Sequence, residues 1–177
     1  MNIPNLLTVF RILLIPFFII FIIDNKIGLV LIVFLFAAVS DALDGLIARI
    51  YKQQTIIGSY LDPLADKLFL NTCYISFALL QLIPEWLAVI VISRDVVIVG
   101  GSMILYVTTQ RLESRPTIIS KINTFLQILT IFIALFFNYF YIIPDWFIFL
   151  IWATAFFTTL TGLHYIYRGI NLLNQES

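Results

Sequence analysis

Long uncharged runs alternate with short polar breaks along this chain. The first run, Ile12 to Ile23, ends at the polar turn Asp24-Asn25-Lys26. The second, Ile27 to Ser40, continues straight into Asp41, so its helix is expected to carry Asp41, Asp44, Ala48 and Arg49 at its end. Tyr51 to Gly58 is expected as the next break. Leu61 to Pro84 predicts a third span with Asp62 and Asp66 in its first turns, and Glu85 to Val107 a fourth, interrupted by Arg94-Asp95. Thr108 to Ser120 is polar; Lys121 to Pro144 and Trp146 to Tyr167 predict the fifth and sixth. Pro4 favours a helix start, and Met1 to Phe10 is expected as a short amphipathic helix at the membrane interface. The runs are long and continuous, whereas barrel strands would alternate apolar with polar. The expected fold is therefore all-α: a polytopic membrane protein of six transmembrane helices with a short N-terminal interfacial helix, in one domain over residues 1–177.

Composition strengthens this picture. Of 177 residues, 62% are hydrophobic, 11% are charged and 17 are Phe, more apolar surface than a soluble core of this size hides. The formal net charge is zero, which gives no footing to a nucleic-acid partner. Cys73 is the single cysteine, so no intrachain disulfide exists, and it reads as a small buried hydrophobe.

Charge sets the expected orientation. Six spans place both termini on one side, together with Arg49, Lys52, Arg111, Arg115 and Arg168, while Lys26 stands alone on the other. The positive-inside bias makes the Arg49 side cytoplasmic. Trp86 and Trp146 at span ends suit interfacial anchoring.

The candidate chemistry lies between Asp41 and Asp66. Asp41 and Asp44 are three apart and Asp62 and Asp66 four apart, so each pair shares a helix face. Four carboxylates among apolar neighbours need compensation, and a hard divalent cation is suited to it. Structural readings stand beside this one. Asp62 before Pro63 could cap a helix, and Asp41 and Asp44 could pair with Arg49 and Lys52. Small residues at Gly45, Ala48 and Gly58 leave room for a ligand, or for close helix packing.

Together these positions read Asp41-x2-Asp44-Gly45-x2-Ala48-Arg49-x8-Gly58-x3-Asp62-x3-Asp66. This pattern resembles the signature of the CDP-alcohol phosphatidyltransferases, with all eight fixed positions present at the family spacing. The resemblance implies a membrane enzyme that joins a CDP-activated group to an alcohol and releases CMP. It implies one or two Mg2+ or Mn2+ ions bound by Asp41, Asp44, Asp62 and Asp66, with Asp66 also the general base. It implies contacts to the CDP moiety from Gly45, Ala48, Arg49, Thr55 and Gly58, and from Asn5, Thr8 and Arg11 near the nucleotide. It further implies CDP-diacylglycerol and a lipid or glycerol-phosphate acceptor as partners. A homodimer in a bacterial cytoplasmic membrane is expected on the same footing. An acceptor hydroxyl needs a positioned base as it attacks phosphorus, so geometry more than basicity must carry that step.

The acceptor is sought among Arg94, Asp95, Lys121 and Asn123. An intramembrane arginine is costly unless paired, with an ion pair between helices as the structural alternative for Arg94-Asp95 and a snorkelling anchor for Lys121. The stretches ISRD and PTIISKINTFLQ are similar to the cardiolipin synthase branch of the family. The phosphatidylglycerophosphate synthase branch tends to have Glu at the position of Asp95 and Lys at that of Asn123. Phosphatidylglycerol is thus the expected acceptor, with glycerol 3-phosphate as the alternative. A small ion or solute transporter would also explain carboxylates in a membrane, but it predicts repeated halves, and the acidic cluster occupies only the second and third spans.

Overall fold

Six helices follow one another: α1 (Ile3–Ile23), α2 (Ile27–Tyr51), α3 (Ile56–Leu79), α4 (Glu85–Thr109), α5 (Ile118–Tyr139) and α6 (Phe147–Asn174). The computed structural model describes residues 3–51, 56–109, 118–142 and 144–174. Among these residues the helices close into a ring in the order α1, α3, α4, α6, α5, α2, with α3 and α5 touching across its middle.

The helices run further than the polar breaks suggested. α1 is continuous from Ile3, so the expected interfacial helix is simply the first turns of α1. α3 already begins at Ile56, which puts Gly58 inside the helix and removes the N-cap reading of Asp62. The physical reason is shared: a helix satisfies its own backbone polar groups, so polar side chains near its ends do not oblige it to stop. At the other ends the helices stop earlier, at Leu79 rather than Pro84 and at Tyr139 rather than Pro144.

Those two early stops and the end of α1 at Ile23 have a common construction. Asn25, Gln81 and Tyr141 all adopt left-handed backbone, with φ of 54°, 57° and 56°. The amide that follows each one donates back five residues: Lys26 to Phe21 O at 2.9 Å, Leu82 to Phe77 O at 2.9 Å and Ile142 to Phe137 O at 3.0 Å. These are Schellman closures, which satisfy carbonyls that a helix end leaves over. They share one end of the bundle, where Asn25, Leu80, Leu82 and Tyr141 line a single open cleft of about 1050 Å³.

The outer surface is apolar, and a set of polar side chains is buried beside the apolar core. Leu79, Phe149, Phe156 and Met103 are exposed at 62% or more. Arg11, Arg94, Asp95, Asn123, Gln127 and several threonines are buried. Apolar flesh outside and polar groups inside is what lipid as solvent selects. Glu85–Met103, Ile118–Tyr139 and Phe147–Asn171 are each long and apolar enough to cross a membrane, and Thr8–Ile23 and Ile27–Ser40 are shorter apolar stretches. The chain is an integral membrane protein. Its interior also holds an aromatic centre, in which Phe18 meets Phe69 edge-on at 5.4 Å and Phe77 stacked at 6.3 Å. Cys73 is fully buried beside it, as a small hydrophobe.

Candidate functional site

An ionic belt crosses the bundle at the level of Asp66. Arg11 of α1 donates from Nη1 to Asp66 Oδ1 of α3. The arginine side chain keeps 2% of its exposure and the aspartate 34%, so the carboxylate is the open member of the pair. Thr8, one turn before Arg11 on the same face of α1, is fully buried as well. Polar positions at Thr8 and Arg11 thus give α1 one polar face, and that face turns inward.

Beside Arg11 and Asp66 lies a small, half-open cavity of about 70 Å³. Phe34, Ala37 and Ala38 of α2, Phe69 and Leu70 of α3, and Thr124 and Ile128 of α5 complete its wall. The volume suffices for a few waters or the end of a polyol, and the walls are apolar apart from Arg11, Asp66 and Thr124. This cavity is far smaller than the cleft at the opposite end of the bundle, yet it is the one that meets the candidate chemistry.

The belt continues through the next residue of α3. Lys67 Nζ lies 3.6 Å from Asp95 Oδ1 on α4. The same oxygen accepts from Arg94 Nη1 at 2.7 Å. Arg94 then donates from Nη2 to Ser120 Oγ of α5 at 2.9 Å. Its methylenes rest on α6: a Cβ built on Gly162 would sit 3.5 Å from Arg94 Cγ. A side chain that would be costly in lipid is therefore paired, hydrogen-bonded and shielded at once. Asp95 spends its carboxylate on two cations, which makes it an orienting group.

The other expected acceptor residues separate. Lys121 is exposed, the disposition expected of an anchor near a span end. Asn123 is fully buried and its Oδ1 accepts from Thr158 Oγ1 at 2.8 Å. It belongs to a polar ladder between α5 and α6. Gln127 Nε2 reaches Thr158 Oγ1 at 3.5 Å, and Thr130 shares a 2.7 Å bond with Thr154. Tyr74 of α3 donates to Gln127 O at 3.2 Å and ties the ladder to the middle of the ring. Sequence reasoning missed this ladder and Lys67. The spacing of Asn123, Gln127 and Thr130, repeated by Thr154, Thr158 and Thr161, was the available signal for the ladder.

Of the four signature aspartates, Asp66 alone has a described side chain. Asp41 and Asp44 lie on α2, and Asp62 lies on α3 with Asp66. Their helical spacing is thus realised, but their side chains are outside the described residues, as are those of Asn5, Gly45, Ala48, Arg49 and Gly58. Thr55 lies outside them altogether. Among the described residues no group of three or more His, Cys, Asp or Glu is placed to hold a metal.

The comparisons with known proteins agree on the family and differ in the reaction for which the relatives are named. The family profile described as CDP-alcohol phosphatidyltransferase matches residues 1–160. A CDP-diacylglycerol–glycerol-3-phosphate 3-phosphatidyltransferase of Bacillus subtilis is 32% identical, over 99% of this chain and 99% of its own length. A cardiolipin synthase (CMP-forming) of Homo sapiens is 33% identical over 95% of this chain. A Drosophila melanogaster protein named "Probable cardiolipin synthase (CMP-forming)" is 39% identical over 76% of it. The chain spans only 47% of the fly protein's length and 62% of the human one's.

Proposed function

Because this chain belongs to the CDP-alcohol phosphatidyltransferase family, we propose that it transfers the phosphatidyl group of CDP-diacylglycerol to a glycerol-type alcohol and releases CMP. The acceptor in this reading is phosphatidylglycerol and the product cardiolipin. The observation that carries the proposal is the placement of Asp66: a one-third-exposed carboxylate, held by the buried Arg11 and opening on a small cavity.

The chemistry follows from that placement. The acceptor hydroxyl attacks the phosphorus that bears diacylglycerol, a new O–P bond forms, and the bond to the CMP oxygen breaks. The hydroxyl proton passes to Asp66. A carboxylate is a weak base, so its value lies in being fixed within reach, and Arg11 and the walls of the cavity fix it. Apolar walls also limit water, which would otherwise compete as acceptor.

The donor set of Asp41, Asp44, Asp62 and Asp66 consists of hard oxygen ligands and fits Mg2+ or Mn2+. When bound, such an ion neutralises pyrophosphate charge. Gly45, Ala48, Arg49, Thr55 and Gly58, with Asn5, Thr8 and Arg11, form the CDP side of the site. Arg94 serves the acceptor side. The chain acts as one domain of six transmembrane helices, as a homodimer in a bacterial cytoplasmic membrane, with the aspartates near the cytoplasmic face.

A second acceptor has a specific observation in its favour. The Bacillus subtilis relative is alike along its whole length and is named for glycerol 3-phosphate. One assay separates the two. Purified protein is given CDP-diacylglycerol with phosphatidylglycerol or with glycerol 3-phosphate, and the lipid formed is identified. Asp66→Asn is expected to lower CMP release by about 10²- to 10⁴-fold. Undiminished turnover in that variant would remove the general base from the scheme.

A further inference from the structure

The cavity beside Asp66 has a hydrogen-bonding inventory that fits one kind of ligand end. Three polar side chains line it: Arg11 of α1, Asp66 of α3 and Thr124 of α5. The rest of the wall is apolar, and the small side chains of Ala37 and Ala38 on α2 leave the space open. One water needs about 10–15 Å³, so a cavity of about 70 Å³ admits a fragment of a few heavy atoms. Neither Lys67 nor Arg94 lines it.

Each polar group has a defined capacity. A guanidinium only donates and a carboxylate only accepts. A hydroxyl does both, but that of Thr124 donates to Ser120 O at 3.1 Å. Its proton is thereby committed to the backbone, and its oxygen has lone pairs left to offer. The wall therefore presents two acceptors from different helices, Asp66 and Thr124, and one donor, Arg11, already turned to Asp66. An O–H placed in the cavity away from Asp66 has Thr124 as its one acceptor among the described lining side chains, and a buried hydroxyl without a partner is costly.

From this inventory we propose that Thr124 selects acceptors that end in a vicinal diol. One hydroxyl of the acceptor addresses Asp66. The hydroxyl on the next carbon keeps its proton and donates to Thr124 Oγ1. The ligand class is the free end of a glycerol, carried either by a lipid headgroup or by a soluble glycerol phosphate. The inference rests on the functional reading above and deepens it. That reading places the attacking hydroxyl alone, whereas Thr124 gives the second one a partner. A site that hydrogen-bonds a substrate hydroxyl discriminates against the analogue lacking it, so Thr124 is a specificity-determining residue acting on the alcohol end of the acceptor and not on its phosphate.

The test pairs each acceptor with an analogue that lacks the middle hydroxyl. Phosphatidylglycerol is set against its 1,3-propanediol counterpart, and glycerol 3-phosphate against 3-hydroxypropyl phosphate, so the two sources of glycerol are read separately. Purified wild type, Thr124→Ser and Thr124→Val are assayed for CMP release from CDP-diacylglycerol, and kcat/KM is compared within each pair. The preference for the diol should fall about 3- to 10-fold in Thr124→Val, the size of one neutral hydrogen bond, and be kept in Thr124→Ser. Any intrinsic difference in reactivity between diol and analogue enters all three proteins alike and cancels. A purely structural role for Thr124 would slow both members of a pair equally. The same preference in wild type and Thr124→Val, or none in the wild type, overturns the assignment and leaves the functional reading standing. If Thr124→Val does not fold, Thr124→Ala is measured in its place against the same criteria. Wild-type protein that releases no CMP with either acceptor overturns the functional reading, and binding then decides. Unfolding midpoints are titrated with the same pairs: a larger rise with the diol, lost when the Thr124 hydroxyl is removed, keeps the diol site, and equal rises or none overturn it.

Discussion

Arg11 and Asp66 join α1 to α3 across 55 residues of sequence, and the arginine does so from almost complete burial. Removing that arginine removes a partner from the proposed base. Arg11→Met is expected to cost about 1–3 kcal/mol of stability, less than a fully buried pair would because Asp66 is partly open. CMP release should fall more steeply than stability, and Arg11→Lys should recover part of it, since charge returns but the planar fork does not. Thermal unfolding in detergent and an initial-rate assay read the two effects. Equal loss in Arg11→Lys and Arg11→Met would point to shape rather than charge.

Divalent cations should be required. Chelation with EDTA is expected to reduce CMP release to background, and added Mg2+ or Mn2+ to restore it. Activity untouched by exhaustive chelation would refute a metal held by the signature aspartates.

The ladder between α5 and α6 predicts stability effects with a definite pattern. Thr158 donates to Asn123 and accepts from Gln127, so Thr158→Val strands two buried amides. About 1–3 kcal/mol is expected, toward the lower end if lipid or the neighbouring helix offers substitutes. Asn123→Leu combined with Thr158→Val should cost less than the two single changes added together, because both partners leave at once. A double-mutant cycle on unfolding midpoints measures this, and strict additivity would contradict the bond.

Gly162 offers a graded probe of Arg94. A Cβ there stands 3.5 Å from Arg94 Cγ, an ordinary contact, so Gly162→Ala should be tolerated. Gly162→Leu should force the arginine stem aside and raise KM for the acceptor about tenfold, with KM for CDP-diacylglycerol little changed. A loss shared equally by both substrates would mean that the whole bundle had shifted.

What could be read from the chain alone divides along physical lines. The apolar runs were legible because crossing a bilayer demands length, and length is visible in sequence. The start of α1 at Ile3 and of α3 at Ile56 were not, because polarity marks where lipid ends and not where a helix must end. Arg11 was legible as a residue near the nucleotide through the resemblance, but its pairing with Asp66 was not, because that partner lies 55 residues along the chain. Arg94-Asp95 was recognised as a pair, but Lys67 as its third member depends on how α3 turns against α4. Thr154, Thr158 and Thr161 hide inside an apolar run because threonine hardly interrupts hydropathy, although their spacing marks a single helix face. The spacing of the aspartates was legible because it is a pattern of the backbone, which the helices of α2 and α3 preserve.

The turns at Gln81 and Tyr141 carry a practical consequence. Both residues hold a conformation that costs an L-amino acid about 1–2 kcal/mol and glycine almost nothing. Glycine's greater freedom in the unfolded chain offsets part of that, leaving up to about 1 kcal/mol per site to be gained. Gln81→Gly and Tyr141→Gly would therefore toughen the protein from the end remote from Asp66. That background would let otherwise fragile variants of the ionic belt survive purification and be assayed.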